Sequence, residues 1–234
     1  MTDMPASFFL WPLFSVALYL LAKALHRRLP RWWNAPVLST PVFLLTAVMV
    51  SGQSYASYFA GSHFLVMLLG PCTVAFAVPV YQQRRLIQRH WRLLASGSLV
   101  GSGVALFAAW AMAHLFGLDH DIVLSLVPRS ISMPFALAVS SSIGGVPELT
   151  AVFVVLTGVF GAIAGGFMLR ALPLHSATAR GAMLGMGAHG AGVARAFQAG
   201  PEEGAIAGLT MILVGLLNAL LVPLLFVLFR TIHP

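Results

Sequence analysis

The sequence predicts an all-helical protein that crosses a membrane several times. Of its 234 residues, 59% are hydrophobic and only 8% are charged, against roughly a quarter charged in an average soluble domain. The charged residues are clustered, which leaves the neutral stretches 32–83, 93–118 and 204–229. Each stretch can hold at least one helix of the ~20 apolar residues that cross a bilayer. A water-soluble surface cannot be built from this composition.

Charge, cysteine content and motifs exclude several other classes of protein. The formal net charge is +7, but the basic residues lie at the ends of apolar segments, which indicates membrane topology rather than nucleic-acid binding. The single cysteine, Cys72, excludes an intrachain disulfide, and the histidines are not spaced as metal ligands. The P-loop, nucleophile-elbow and zinc-protease motifs are absent. We therefore expect no enzyme, cofactor or metal site.

Seven apolar stretches are candidate spans. They lie at 8–26, 37–52, 63–83, 93–117, 149–171, 179–198 and 205–229. Positive charge follows the first stretch rather than preceding it, so we expect a retained span and not a cleaved signal peptide. Because Lys and Arg favour cytoplasmic loops, the chain is expected in the inner (plasma) membrane with its N-terminus outside. Residues 1–234 are treated as one integral membrane domain.

The stretch 122–145 is expected to enter the membrane and return to the same side. The basic loops before 93 and after 170 both belong inside, so this stretch must cross an even number of times. Pro128 and Pro134 interrupt it, serines are scattered through it, and Gly144 and Gly145 close it. Such breaks are tolerated where protein or water lines the backbone. The pattern predicts a re-entrant hairpin or a broken helix.

Two further patterns concern the packing and the internal symmetry of the chain. The stretch 179–198 is rich in glycine and too polar for a lipid-facing helix, so we expect other helices to surround it. Residues 74–78 echo residues 135–139. The echo is consistent with inverted repeat halves of about 37–117 and 119–230, although chance explains so short an apolar match equally well.

Polar groups at membrane depth are the candidate functional residues, because they are costly there. Arg129, Ser130 and Ser132 combine a cation and two hydroxyls beside a restarting helix, whose N-terminus favours an anion. The alternative is an arginine that extends to the interface and serines that cap helices. His189 can bond a carboxylate, carry a proton, or bond a backbone carbonyl. Arg195 joins the same site or complements a helix end.

The remaining candidates concern broken helices and coupling. Glu148 either caps a helix or couples an ion to transport, and Asn218 either bonds another helix or lines a cavity. The proline-interrupted stretch that contains Pro71 is either a gate or an ordinary kinked helix. The residues assigned to broken helices or gating are Pro71, Thr73, Pro128, Pro134, Gly144, Gly145 and Gly190.

Several motifs resemble the LrgB/CidB family over about residues 55–225. They are Tyr58-Phe59-Ala60-Gly61, Leu69-Gly70-Pro71-Cys72-Thr73, Pro128-Arg129-Ser130-Ile131-Ser132-Met133-Pro134, Ser142-Ile143-Gly144-Gly145-Val146-Pro147, Ala179-Arg180-Gly181, Gly187-Ala188-His189-Gly190-Ala191-Gly192-Val193-Ala194-Arg195 and Glu202-Glu203-Gly204-Ala205. This chain departs from the family at four positions. Arg129 and Ser132 stand where Lys and Thr are common, Ala188 where Ser is usual, and Glu148 where a small residue is more frequent.

The resemblance implies a secondary transporter of small monocarboxylates, such as glycolate, glycerate or pyruvate, coupled to protons or sodium. The family includes the plastidial glycolate/glycerate translocator and bacterial proteins once labelled antiholin-like. It therefore also implies a competing function, holin-like control of murein hydrolase export and cell lysis, and a small LrgA/CidA-like membrane partner. Broken helices with buried polar groups favour the transporter. A homodimer is the base-rate expectation.

If the protein is a transporter, we expect the motif at residues 128–134 to bind the carboxylate. Arg129, Ser130 and Ser132 hold it, while His189 and Arg195 face them across a membrane-buried cavity. Alternating access then comes from one bundle of helices moving past the other.

Overall fold

The computed structural model describes residues 7–29, 34, 36–68, 71, 74–75, 77–82 and 84–232. Every regular element among them is helical, and the chain divides after Cys72 into two compact units. The elements are α1 (Ser7–Arg28), α2 (Pro36–Val50), α3 (Tyr55–Met67), α4 (Ala77–Gln82), α5 (Arg84–Leu115), α6 (His120–Leu126), a 3-10 turn (Val127–Ser130), α7 (Met133–Ile143), α8 (Pro147–Ala171), α9 (Ala177–Ala199) and α10 (Pro201–Ile232).

In the first unit, α1 packs against both α2 and α3. The rings of Trp11 and Tyr58 meet edge to face with centroids 5.3 Å apart. The corner between α1 and α2 is held by Asn34, whose Oδ1 lies 2.6 Å from His26 Nδ1 and whose Nδ2 donates to the Leu29 carbonyl. Asn34 is thereby bonded to the C-terminal end of α1.

The second unit contains three helices that are long and apolar enough to cross a membrane. Among the described residues these are Arg84–Leu115, Pro147–Ala171 and Pro201–Leu228. Large apolar side chains on them face outward, with Phe107 67% exposed, Phe160 66% and Leu220 75%. Exposed apolar surface on this scale requires a non-aqueous environment. A helical membrane protein is thus supported, while the count of seven spans stays a prediction.

The chain from α6 to α7 folds back on itself as a hairpin. Thr150 Oγ1, near the start of α8, lies 3.0 Å from the Ser125 carbonyl oxygen and 2.7 Å from Ser140 Oγ. A continuous helix would separate residues 125 and 140 by about 22 Å. The arms α6 and α7 must therefore lie side by side, with the 3-10 turn at the tip. We call residues 120–143 hairpin 1. The chain folds back here as the broken-helix pattern predicted, and its entry into a membrane stays a prediction.

Helix α9 is also a hairpin, which corrects the expectation of a single span over 179–198. The backbone of His189 is non-helical, with φ 45° and ψ −125°. A Cβ on Gly192 would touch the carbonyl oxygen of Leu184, although eight residues of straight helix span about 12 Å. The chain therefore reverses at His189, and we call residues 177–199 hairpin 2.

Both arms of hairpin 2 pack against α10 through glycines. A Cβ on Gly185, in the first arm, would collide with the Ala207 backbone, while Val193 in the second arm lies 3.9 Å from the Cβ position of Gly208. The approach of Gly185 to Ala207 is available only without a side chain, whereas the contact at Gly208 is ordinary van der Waals contact. The glycines of residues 177–199 therefore permit close packing against neighbouring helices as well as the reversal.

The two hairpins approach each other from opposite ends of α8. Hairpin 1 ends just before α8 begins, and five residues separate the end of α8 from the start of hairpin 2. The helix is about 37 Å long at 1.5 Å per residue. Near its centre, the Cβ position of Gly158 lies 3.5 Å from the Ala188 carbonyl oxygen at the tip of hairpin 2. This tip thus lies about midway along a helix that is long and apolar enough to span a membrane.

The order of a hairpin followed by a long helix occurs twice, over residues 120–171 and 177–232. Both long helices start with Pro-Glu, at Pro147 and at Pro201. This unit is shorter than the repeat halves suggested by the sequence echo, and those halves stay a prediction.

Candidate functional site

The tip of hairpin 1 is a break in the helix that the prolines impose. Pro128 occupies the start of the 3-10 turn and is buried, Ile131 is extended with φ −131° and ψ 168°, and Pro134 lies in the first turn of α7. Proline lacks an N–H and disfavours helical geometry in the residue before it. The break therefore places Arg129, Ser130 and the N-cap residue Ser132 together at the tip.

The polar side chains at this tip lack partners within the described part of the chain. Ser132 is only 7% exposed, and its Oγ makes no hydrogen bond, not even the usual cap to its own helix. The Arg129 guanidinium is half-buried and forms no ion pair with a described carboxylate. A buried polar group without a partner costs about 1–3 kcal/mol. A bound anion would offset that cost at both side chains.

His189 forms the tip of hairpin 2 and lies against the tip of hairpin 1. Its ring lies close to the backbone of Ser130 and to Arg129. The residue is 3% exposed, and its Nε2 has no hydrogen-bond partner among the described residues. Positive φ is uncommon outside glycine and is retained where the surrounding structure enforces it. The strained backbone and the unpartnered nitrogen both distinguish His189 from an ordinary core residue.

A cavity of about 490 Å³ lies beside the two tips. Arg129 from hairpin 1 and Gly187 from hairpin 2 both line it, together with α8 and α5. The other lining residues are Ala109, Met112, Leu126, Phe153, Leu156, Thr157, Phe160, Gly161 and Ala164. Arg129 is the charged member of this set. The geometry therefore presents one cation to an otherwise largely apolar cavity at mid-helix depth.

The structure gives Arg195 a different environment from that of His189. It lies on the second arm of hairpin 2, is exposed, and donates from Nη1 to Gln198 Oε1 at 2.9 Å. Its guanidinium also lies 3.6 Å from the Cβ position of Gly166, toward the end of α8. Four of the predicted binding residues lie at the meeting tips, namely Arg129, Ser130, Ser132 and His189. A binding role for them and for Arg195 stays a prediction.

The coupling candidates occupy ordinary structural positions. Glu148 is exposed in the first turn of α8, where its charge suits the helix dipole. Asn218 is buried, and its Nδ2 donates to Ser102 Oγ at 2.8 Å and to the Val214 carbonyl at 2.8 Å. Of the two interpretations given above for Asn218, the bond to another helix is therefore confirmed, and it ties α10 to α5.

The glycines assigned to the breaks differ in what they do. Gly144 caps α7 with φ +87°, which favours glycine, and a Cβ on Gly145 would lie 2.6 Å from Ser140 Oγ. Gly190 has open space at its Cβ position. Pro71 is a helical, exposed residue, and Thr73 lies outside the described residues. A gating role for any of them stays a prediction.

Two groups that hold the hairpins were missed by sequence reasoning. The hydroxyls of Ser125, Ser140 and Thr150 are fully buried and clamp the base of hairpin 1, where Ser125 Oγ also accepts from the Val146 N–H at 2.8 Å. At the base of hairpin 2, Arg180 forms an ion pair with Glu203 of α10. Arg180 and Glu203 both belong to the family motifs quoted above. Their opposite charges on either side of the glycine-rich segment could have suggested an ion pair from the sequence.

The comparisons with known proteins agree on one family. The sequence model of the LrgB-like family matches residues 15–228. Uncharacterized protein YxaC of Bacillus subtilis (strain 168) is 35% identical over 218 residues, which cover 93% of this chain and 95% of YxaC. Uncharacterized protein YwbG of the same strain is 36% identical over 211 residues, covering 90% and 94%. No solved structure matches. The chain therefore belongs to the LrgB-like family.

Proposed function

We propose that this protein is a secondary transporter of small monocarboxylates such as glycolate, glycerate and pyruvate. The observation that carries the proposal is the meeting of two hairpin tips midway along α8. At this junction, Arg129 has no ion-pair partner and His189 Nε2 no hydrogen-bond partner among the residues that the structure describes. Discontinuous helices that meet near the bilayer midplane are the arrangement with which transporters bind substrates.

The chemistry of the tips supports a carboxylate as the ligand. A carboxylate accepts hydrogen bonds only, and Arg129 and Ser132 both have donors to offer. His189 Nε2 either donates to the carboxylate or carries a proton with it, depending on the tautomer. Coupling to a proton gradient therefore needs no residue beyond the junction, although sodium coupling is an equal alternative.

The topology that we propose follows from the two hairpins. Each leaves the membrane on the side from which it entered, so the loop before hairpin 1 and the loop before hairpin 2 lie on opposite sides of a plasma membrane. With basic loops inside, residues 116–119 are outside, residues 172–176 are inside, and the N-terminus is outside. A second copy of the chain and a small LrgA/CidA-like protein are the proposed partners.

Uptake into proteoliposomes tests the proposal. The purified chain is reconstituted alone, and labelled glycolate, glycerate and pyruvate are supplied with and without an inward proton gradient. Arg129→Gln removes the unpaired cation, whereas Arg170→Gln makes the same change at an exposed position in the last turn of α8. Saturable uptake that is lost in the first variant and kept in the second supports the proposal.

Two results would contradict it. Normal uptake by Arg129→Gln would remove the residue from the site. Leakage of an unrelated dye of similar size, without saturable uptake, would favour a holin-like pore over a carrier.

A further inference from the structure

The start of α5 carries four arginines within nine residues, namely Arg84, Arg85, Arg89 and Arg92. All four side chains are exposed. The sequence has no Asp or Glu from residue 4 to residue 118, and within the described part of the chain none of the four arginines forms an ion pair. The protein itself therefore leaves this positive charge uncompensated. We call residues 84–92 the basic segment.

The first turns of the basic segment are amphipathic. At 3.6 residues per turn, three of the arginines and Gln88 lie within one arc of about 140° on the helix. Leu86 and Ile87 lie on the opposite side and are half-buried. A helix with a basic face and an apolar face is typical of segments that lie in the interface of a membrane.

A bend at His90 lets the basic segment take a direction of its own. The backbone of His90 is non-helical, with φ −118° and ψ 19°, and residues 93–115 beyond it contain no Asp, Glu, Lys or Arg. Trp91 is 57% exposed at the bend, and tryptophan is enriched at the head-group level of bilayers. The basic segment can therefore lie along a membrane surface while the apolar part of α5 crosses the bilayer.

Two of the arginines contact aromatic rings of neighbouring residues. The guanidinium carbon of Arg84 lies 4.4 Å from the centroid of the Tyr81 ring, and its Nη1 donates to the Tyr81 carbonyl oxygen at 3.1 Å. The guanidinium carbon of Arg92 lies 5.5 Å from the centroid of the Trp91 ring. A guanidinium has five N–H donors, so these contacts leave most of the donors available to an anion.

We propose that the basic segment binds the phosphate groups of anionic lipids such as phosphatidylglycerol. The guanidinium groups donate to the phosphate oxygens, and the charge on the segment complements the negative surface of a membrane that contains such lipids. A lipid is favoured over a free anion because the basic segment continues directly into residues 93–115, which hold it at the bilayer surface. In the proposed topology this surface is the cytoplasmic leaflet.

The proposed surface is separate from the substrate site. Arg92 is about 25 Å along α5 from Ala109, which lines the cavity beside the hairpin tips. Lipid binding and substrate transport can therefore be tested independently.

Quenching of Trp91 fluorescence by brominated lipids tests the proposal on the full chain in nanodiscs. The nanodiscs contain phosphatidylcholine and a minor fraction of phosphatidylglycerol, and an equal amount of either one or the other lipid is brominated. Subtracting the signal of Trp91→Phe isolates Trp91. One arginine near an anionic surface contributes about fivefold in affinity, so brominated phosphatidylglycerol should quench at least about fivefold more. Equal quenching by the two lipids would overturn the proposal.

Two variants with the same loss of net charge separate a site from a general charge effect. Changing the four arginines of the basic segment to Gln should bring the quenching ratio close to one. The control changes four exposed cations elsewhere to Gln and should keep the ratio; these are Lys23, Arg27, Arg28 and Arg170. An equal fall in both variants would overturn the proposal. If the first variant does not fold, Arg89→Gln alone should lower the ratio by up to about fivefold, and an unchanged ratio would count against the site.

Thermal unfolding in detergent distinguishes a lipid from a free anion. Added phosphatidylglycerol should raise the midpoint of unfolding of the unaltered chain and of the control variant, and should raise it less in the variant without the four arginines. Phosphatidylcholine and inorganic phosphate at the same concentration should have little effect. Stabilisation by inorganic phosphate as large as that by phosphatidylglycerol would show a site for free anions and would refute the assignment to lipid.

Discussion

Replacing Gly161 with alanine should weaken the contact between α8 and the tip of hairpin 2. A Cβ at this position would overlap the carbonyl oxygen of Gly187 and would lie 2.9 Å from the Gly187 carbonyl carbon and 3.1 Å from Ala188 Cα. These are backbone atoms, so no side-chain rotation can relieve the overlap. The helices must separate, and the tip that carries His189 must move with them.

A matched control is available five residues further along the same helix. A Cβ on Gly166 would meet only the guanidinium of Arg195, at 3.6 Å, which is ordinary contact with a flexible side chain. Both changes gain up to about 1 kcal/mol of helix propensity, because alanine restricts the unfolded chain. That gain cancels in a comparison of the two variants. The difference isolates the overlap at Gly161, which should cost about 1–3 kcal/mol.

Thermal unfolding of the purified protein in one detergent measures this difference. For a chain of this size, about 1–3 kcal/mol corresponds to roughly 2–12 °C between the midpoints of Gly161→Ala and Gly166→Ala, with the former lower. Pyruvate uptake at a temperature where both variants are folded should fall only in the former, because only its junction is displaced. Equal midpoints would refute the close contact between α8 and the hairpin tip.

Three further predictions concern the contacts that hold the hairpins and α5. Thr150→Val removes the hydroxyl that bridges the arms of hairpin 1 and should lower the free energy of unfolding by about 1–3 kcal/mol, measured by denaturant titration in mixed micelles. Exchanging the charges of Arg180 and Glu203 in one double variant should restore much of the stability that either single exchange removes, measured as the midpoint of thermal unfolding. Asn218→Leu and Ser102→Ala should show a coupling of about 0.5–1.5 kcal/mol in a double-mutant cycle, because Asn218 and Ser102 share one hydrogen bond.

Each of the three has its own control or contradicting result. Thr157→Val makes the same chemical change as Thr150→Val at a position where no hydrogen bond is lost. If both variants lose the same free energy of unfolding, the hydrogen bonds of Thr150 do not stabilise hairpin 1. A double charge exchange no more stable than the worse single exchange would show that the ion pair does not hold hairpin 2. Additive effects at Asn218 and Ser102 would deny that the two side chains interact.

The sequence was enough to predict a membrane protein and the helix break of hairpin 1, because both depend on local chemistry. The low charge content and long neutral stretches require a bilayer, and Pro128 and Pro134 break a helix wherever they occur in one. The same local reasoning identified Arg129, Ser132 and His189 as costly groups at membrane depth. Those residues do lie at the two meeting tips, and their binding role awaits the uptake measurements.

The reversal at His189 was decided only by tertiary structure. A glycine-rich stretch of 20 residues is compatible with a packed span or with a hairpin, since glycine permits close helix contact in both. What selects the hairpin is the fit of Gly185 against Ala207 and of Gly161 against Gly187, contacts between positions that are 22 and 26 residues apart in the chain. Likewise, Ser125 and Ser140 become a clamp only when Thr150 lies between them. Composition and local breaks determine where this chain can leave a helix, whereas packing between distant segments decides which breaks become turns and which side chains meet there.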